Sequence, residues 1–285
     1  MKSRFTILLL TSLLVLTLTG LGYAQTEWQV RRSFDLQDAT PLDVELSARG
    51  KWVFVLTDKG EILVYAGSGK LKDRILVGEF IDGIEPGPVD DVLLISSKEK
   101  KTLEAITVDL AQTINITDSP FKGPADAPVA VIVYTDFQAP ACVKLAPVLD
   151  QVLAKYPQQV KLVYKNFPLK SKHGFAGRAA VAALAAERQG KFWDFYDLLF
   201  ANYQGLHQKK IEEFAANLGM NVAQLKKDMR DSRMSAKIQQ DMSEGAVAGV
   251  RVPPTVFVNG RIVRELTLEG ILGGVEKEIK KAKTN

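Results

Sequence analysis

Few residues in this chain can do chemistry, so the spacing of those few is informative. Its 285 residues contain one cysteine, Cys142, and two histidines, His173 and His207. A cysteine attacks only as its thiolate, so the surroundings of Cys142 decide what it can do. It closes the stretch Asp136-Phe137-Gln138-Ala139-Pro140-Ala141-Cys142. Before that stretch lies an unbroken apolar run, Val129 to Tyr134; after it, apolar residues recur at Leu145, Val148, Leu149, Val152 and Leu153. The run suits a strand buried on both faces, and the recurrence suits a helix with one buried stripe. Cys142 therefore sits where a strand hands over to a helix. Backbone N–H groups and the positive end of a helix dipole can lower a thiol's pKa there. Asp136 is placed either to relay a proton beside the thiol or to hydrogen-bond the turn. His173, at a helix start, either tunes a thiolate or plays a structural part. His207 lies in a polar context and reads as solvated.

The same stretch resembles the Asp-Phe-x-Cys-Pro-x-Cys segment of the DsbA-like thiol:disulfide oxidoreductases of the thioredoxin superfamily. Further signatures agree in order and spacing. Gly123 to Val129 matches Gly-x-x-x-Ala-Pro-Val, and Pro147 follows the cysteine by five residues, where a kink-forming proline is expected. Phe167-Pro168-Leu169 precedes His173, and Gln189-Gly190-Lys191-Phe192-Trp193 precedes Asp197-Leu198-Leu199-Phe200. Val252-Pro253-Pro254-Thr255 resembles the family's cis-proline loop, with Pro254 at the cis position and Pro253 where threonine is common. The resemblance covers roughly residues 119 to 285. It implies that Ala139 occupies the position of the nucleophilic cysteine and that Cys142 occupies the position of the resolving one, a turn deeper in the helix, largely shielded and a poor attacker, so that Cys142 is either a reactive monothiol or an inert buried cysteine. It also implies that Pro140, Ala141, Pro253 and Pro254 border a surface offering backbone groups to an extended substrate segment.

Disulfide exchange runs through a mixed disulfide that a second sulfur resolves, and this chain has one sulfhydryl. Two activities stay open. In the first, Cys142 acts alone and forms mixed disulfides with extracytoplasmic polypeptides or small thiols. In the second, the chain is redox-inactive and holds polypeptides, as a chaperone or assembly factor would, through the proline loop and its β-region.

The elements that must position these residues follow from pattern. From Trp28 to about Leu110 two β-hairpins are expected: Val53 to Thr57 with Ile62 to Tyr65, and Val92 to Ser96 with Leu103 to Val108. Their offset, about 39 residues, is close to the ~40-residue period of β-propeller blades, but two blades cannot close a ring. The expectation is a small antiparallel, blade-like β-domain whose open edges the other domain or a second subunit covers. Breakers concentrate from Asp118 to Pro128, which reads as a linker. Beyond it come a strand at Val160 to Tyr164 and a nearly all-helical stretch from about 170 to 249. A hairpin follows at Thr255 to Val263, where Asn259-Gly260 demands a type I′ turn, then a final helix from near Thr267. The aromatic set Phe192, Trp193, Phe195, Tyr196 and Phe200 is dense enough for a peptide groove, although core packing accounts for most of it. The fold class is α/β: a β-rich domain over residues 25–117, then a thioredoxin fold with a DsbA-type helical insertion over 118–285.

Composition narrows the class. The chain is 46% hydrophobic and 25% charged, the balance of an ordinary globular protein. Lys2 and Arg4 precede an uncharged apolar run and Gly22-Tyr23-Ala24, so residues 1 to 24 read as a secretory signal peptide, with an uncleaved membrane anchor as the competing reading. Setting those two cations aside leaves 35 basic residues of the 37 against 33 acidic ones. A net +2 without a clustered basic footprint argues against nucleic acid. The chain is expected to be periplasmic or secreted, with a possible homo-oligomer through the β-domain. No metal, nucleotide or flavin motif is present, so no cofactor is expected.

Overall fold

The structure, a computed structural model, describes residues 29–284. The expected signal peptide, residues 1 to 24, lies outside the described residues. The N-terminal region forms a four-stranded antiparallel meander: β1 (Pro41–Leu46), β2 (Trp52–Thr57), β3 (Glu61–Ala66) and β4 (Leu71–Leu76). A three-stranded meander of β5 (Gly83–Pro86), β6 (Val92–Ser97) and β7 (Thr102–Thr107) follows. The two expected hairpins are β2–β3 and β6–β7. The two sheets share one core: Phe54, Leu56, Ile62 and Val64 of the first pack with Ile84, Leu93 and Ile95 of the second. They are stacked like two blades, and no ring closes among the described residues. The opposite face of the first sheet, Val53, Val55, Leu63 and Tyr65, is covered by Phe34 and Leu36 of the same chain.

The second region is built on a five-stranded sheet in the order β12-β11-β9-β10-β8. Its strands are β8 (Phe121–Lys122), β9 (Val129–Thr135), β10 (Val160–Asn166), β11 (Thr255–Val258) and β12 (Arg261–Val263). Only β9 and β10 run parallel, joined by α1 (Pro140–Lys155). Then come α2 (Ala176–Glu187), α3 (Phe192–Ala201), α4 (Gln208–Asn217), α5 (Val222–Asp228) and α6 (Ser232–Ala248), the expected helical insertion. Residue types set their limits: Asn221 caps α5 by accepting from the Gln224 amide, and Gly249 ends α6 at φ +101°, which a glycine adopts without strain. The last helix is α7 (Leu268–Thr284).

The central strand β9 is buried on both faces, as its unbroken apolar run requires. Val129, Val131 and Val133 meet Leu145, Leu149 and Val152 of α1 and Ile271 and Val275 of α7. Ile132 and Tyr134 point the other way, toward Phe167, Phe257 and the end of α6. Here α6 crosses closely, because a Cβ on Gly245 would stand 2.7 Å from the Tyr134 ring. A buried ionic cluster fixes the same crossing. Lys165 on β10, 0% exposed, lies 2.6 Å from Asp241 Oδ1 and 3.0 Å from Glu244 Oε2, and Asn166 donates to Asp241 Oδ2 from its amide and its side chain. Every charge in this cluster has a partner, the condition under which burying charge is tolerated.

The two regions meet at the β11–β12 turn. Asn259 and Gly260 take φ of 45° and 80°, the positive pair that a type I′ turn needs. The Gln112 amide donates to the Gly260 carbonyl at 2.7 Å, Arg261 donates to the Asp109 carbonyl, and Arg264 pairs with Asp91. A Cβ on Gly260 would collide with the Gln112 carbonyl oxygen at 2.1 Å.

Candidate functional site

The site forms where β9 ends and α1 begins. Ala139 is the N-cap of α1, extended at φ −82° and ψ 118° with no side-chain cap, and Pro140 fills the first helical position. A residue before proline favours extended backbone, and proline at N1 loses no helical hydrogen bond, so the sequence itself sets the junction. Pro140 and Ala141 are exposed, whereas Ala139 and Cys142 are buried at 5% and 2% exposure.

Burial decides the state of the thiol. Desolvation pushes the Cys142 thiol from an ordinary 9.0 up to about 11. Hydrogen bonds from the Thr135 hydroxyl and the Asp136 amide, the latter 3.5 Å from Sγ, pull it down by less, and the Asp136 carboxylate adds to the rise. The sulfur sits a turn inside the protein, where burial acts against the lowering expected from the helix N-terminus. At neutral pH this is a protonated, shielded thiol.

Asp136 and His173 come together, as the sequence placed them, but as a structural tie. Asp136 is 1% exposed; its Oδ1 accepts from the Gln138 amide and its Oδ2 from the Leu169 amide, each at 2.7 Å. His173 Nδ1 lies 2.9 Å from the same Oδ2. The pair thus pins the loop after β10 to this turn, and of the two residues only Asp136, through its amide, hydrogen-bonds the sulfur. Gln138, unmarked by sequence reasoning, is a second tie: its Oε1 accepts from the Phe175 amide at 2.7 Å, anchoring the start of α2. A glutamine one residue before Ala139 carries no chemical signature, so nothing but the structure would single it out. His207 is the N-cap of α4, where it accepts from the Lys210 amide.

The Pro253-Pro254 loop flanks this junction. Thr255 pairs with Tyr134 in the β11–β9 ladder, which sets Pro254 level with the end of β9, next to the residue whose hydroxyl bonds the sulfur. The Pro253–Pro254 bond is cis. Val252 is 54% exposed, and its carbonyl accepts from the Thr255 hydroxyl at 2.8 Å. Pro140, Ala141 and Val252 thus give the junction an open, uncharged rim. The aromatic set does not contribute to it. Phe192, Phe195, Tyr196 and Phe200 are buried among α2, α4 and Phe137, and half-buried Trp193 donates to the Phe121 carbonyl. Apart from half-buried Trp193 these rings are core, packed on one another and on Phe137, Tyr164 and Phe214. Among the described residues, no three His, Cys, Asp or Glu side chains could hold a metal ion, and no helix is long and apolar enough to cross a membrane.

Comparison with known proteins agrees with this geometry. Residues 116–277 match a family model described as thioredoxin. The Na(+)/H(+) antiporter NhaA 3 of Salinispora tropica is 34% identical over 154 residues, which are 54% of this chain and 24% of the antiporter. The chain thus spans about a quarter of the length of the curated relatives it matches. Among solved structures, oxidised BdbD from Bacillus subtilis aligns with a TM-score of 0.54 at 21% identity, covering 60% of this chain and 98% of that one. A thioredoxin-like oxidoreductase from Silicibacter pomeroyi aligns with a TM-score of 0.51 at 25% identity, covering 57% and 94%.

Proposed function

Since the chain belongs to the thioredoxin family, we propose that it is an exported polypeptide-binding protein that keeps the family's docking surface and has given up thiol exchange. Ala139 stands in for the attacking cysteine, and Cys142 serves packing. One observation carries this choice over the monothiol alternative: Cys142 is 2% exposed, with its thiol pushed up to about 11 by burial. Reaction needs both thiolate and access, and this sulfur has neither. Export rests on the Lys2 and Arg4 apolar-run pattern of residues 1 to 24.

The docking part of the reading is supported by the rim. An extended segment laid along Val252-Pro253-Pro254 can pair with backbone groups of the loop, while Pro140, Ala141 and Val252 give its side chains apolar contact. Such a surface selects shape and backbone rather than sequence, which suits a holdase or assembly factor.

The reading is tested by binding of a permanently unfolded polypeptide, reduced and carboxymethylated α-lactalbumin, to the full chain. Wild type and Cys142→Ser are expected to bind alike, and Val252→Asp to bind at least about fivefold more weakly. Loss of binding on Cys142→Ser with the fold intact contradicts the reading.

A further inference from the structure

Between the β-region and the thioredoxin domain runs a cleft of about 470 Å³. Lys51, Trp52 and Val89 line one wall, and Val247, Arg251 and Phe257 the other. Arg251 immediately precedes Val252-Pro253-Pro254, so the cleft opens beside the loop to which polypeptide binding is assigned above.

Its charges do not cancel. Arg49 lies 3.7 Å from Asp90, and Arg264 pairs with Asp91. Two further cations form no salt bridge among the described residues, although Asp90 attracts one of them, Lys51. Arg251 is exposed and makes no hydrogen bond or ion pair among the described residues. Lys51 spends two donors on neutral acceptors, Gln112 Oε1 at 2.7 Å and the Val247 carbonyl at 2.9 Å. The Trp52 ring lies 5.1 Å from the same nitrogen, a contact that leaves the ammonium without a salt-bridged carboxylate. Burial lowers the Lys51 ammonium from its ordinary 10.5, with Asp90 opposing, so its charge is incompletely offset. The carbonyl end of α6 covers part of that charge. Against the two cations stands one lining carboxylate outside any ion pair among the described residues, Asp109. At the mouth, Val89 and Val247 are 43% and 73% exposed.

We propose that this cleft is a second subsite for the polypeptide held at the Val252-Pro253-Pro254 loop, taking an acidic side chain between Lys51 and Arg251 and apolar neighbours on Val89 and Val247. The β-region then acts as a selectivity wall. It turns a backbone-reading loop into a surface that prefers acidic, apolar segments over basic ones. The proposal rests on the polypeptide-binding reading, and the test separates the two.

Two fluorescein-labelled peptides, one alternating valine with glutamate and one alternating valine with lysine, are titrated with the full chain and followed by anisotropy. The glutamate peptide is expected to bind at least about fivefold more tightly, the scale of one partly exposed ion pair. Arg251→Glu, at an exposed and unpaired position, is expected to erase or reverse that preference. Val252→Asp is expected to weaken both peptides. Equal binding of the two peptides, or a lysine preference, with Arg251→Glu without effect overturns the subsite and leaves the loop reading standing. Failure of wild type to bind either peptide overturns both.

Discussion

Alkylation of Cys142 gives the thiol's role a number. A rise from 9.0 to about 11 lowers the thiolate population at any pH below 9 about a hundredfold. Access lowers the rate further, since at 2% exposure the reagent waits for a local opening. Iodoacetamide labelling followed by mass spectrometry, in native buffer and in denaturant at about pH 8, compares the shielded sulfur with its own free state. Native labelling is expected to be at least about a hundredfold slower, set by the thiolate fraction alone. The native rate is also expected to keep climbing past pH 9 and to level only near 11. A native rate within a few-fold of the denatured one, or a plateau below pH 8, refutes the reasoning and restores the monothiol alternative.

Three other outcomes follow from the packing. Asp241→Asn breaks the buried cluster around Lys165 and is expected to cost about 3–5 kcal/mol in urea unfolding; a loss below about 1 kcal/mol contradicts the cluster's role. The same cluster sets a pH window. Burial raises the Glu244 carboxyl, but hydrogen bonds from Gln240 and Lys165 hold it below its ordinary 4.5; burial lowers Lys165, but Asp241 and Glu244 lift it above 10.5. The Glu244 contribution is present above 4.5 and lost as pH falls through its depressed value, and that of Lys165 is present below 10.5 and lost above its raised one, so equilibrium unfolding should show a plateau between. Gly260→Ala places a methyl against the Gln112 carbonyl in a turn at φ +80°, so a lower melting temperature and faster proteolysis of the 109–118 segment are expected; unchanged proteolysis contradicts the docking contact.

Much of this architecture was legible because its patterns are unmixed. An apolar run buried on both faces announced β9, Asn259-Gly260 announced the last hairpin, and Leu268, Ile271, Leu272, Val275 and Ile279 announced α7. Strands whose pattern misleads or is too short were not readable. β1 alternates cleanly, yet its apolar side, Leu42, Val44 and Leu46, is the exposed one, and β8 is two residues inside a stretch rich in breakers. At the site, sequence placed Ala139, Cys142, Asp136, His173 and the proline pair around one junction. The resemblance implied a shielded second cysteine, but what shields it is the distant aromatic packing of Phe137 and the α2–α3 helices, which only the fold brings together. Lys165 and Asp241 carry no signal in the sequence, and only the fold brings them together.

Insulin reduction in the presence of a small dithiol, followed as turbidity, tests most directly whether this fold lacks thiol exchange. Wild type is expected to give no rate above the dithiol alone. Ala139→Cys, which puts a second sulfur at the N-cap of α1 where the Cys142 amide already bonds the residue 139 carbonyl at 2.9 Å, is expected to give one. Turnover by wild type that disappears with Cys142→Ser would contradict the claim that this thioredoxin fold works without its sulfur.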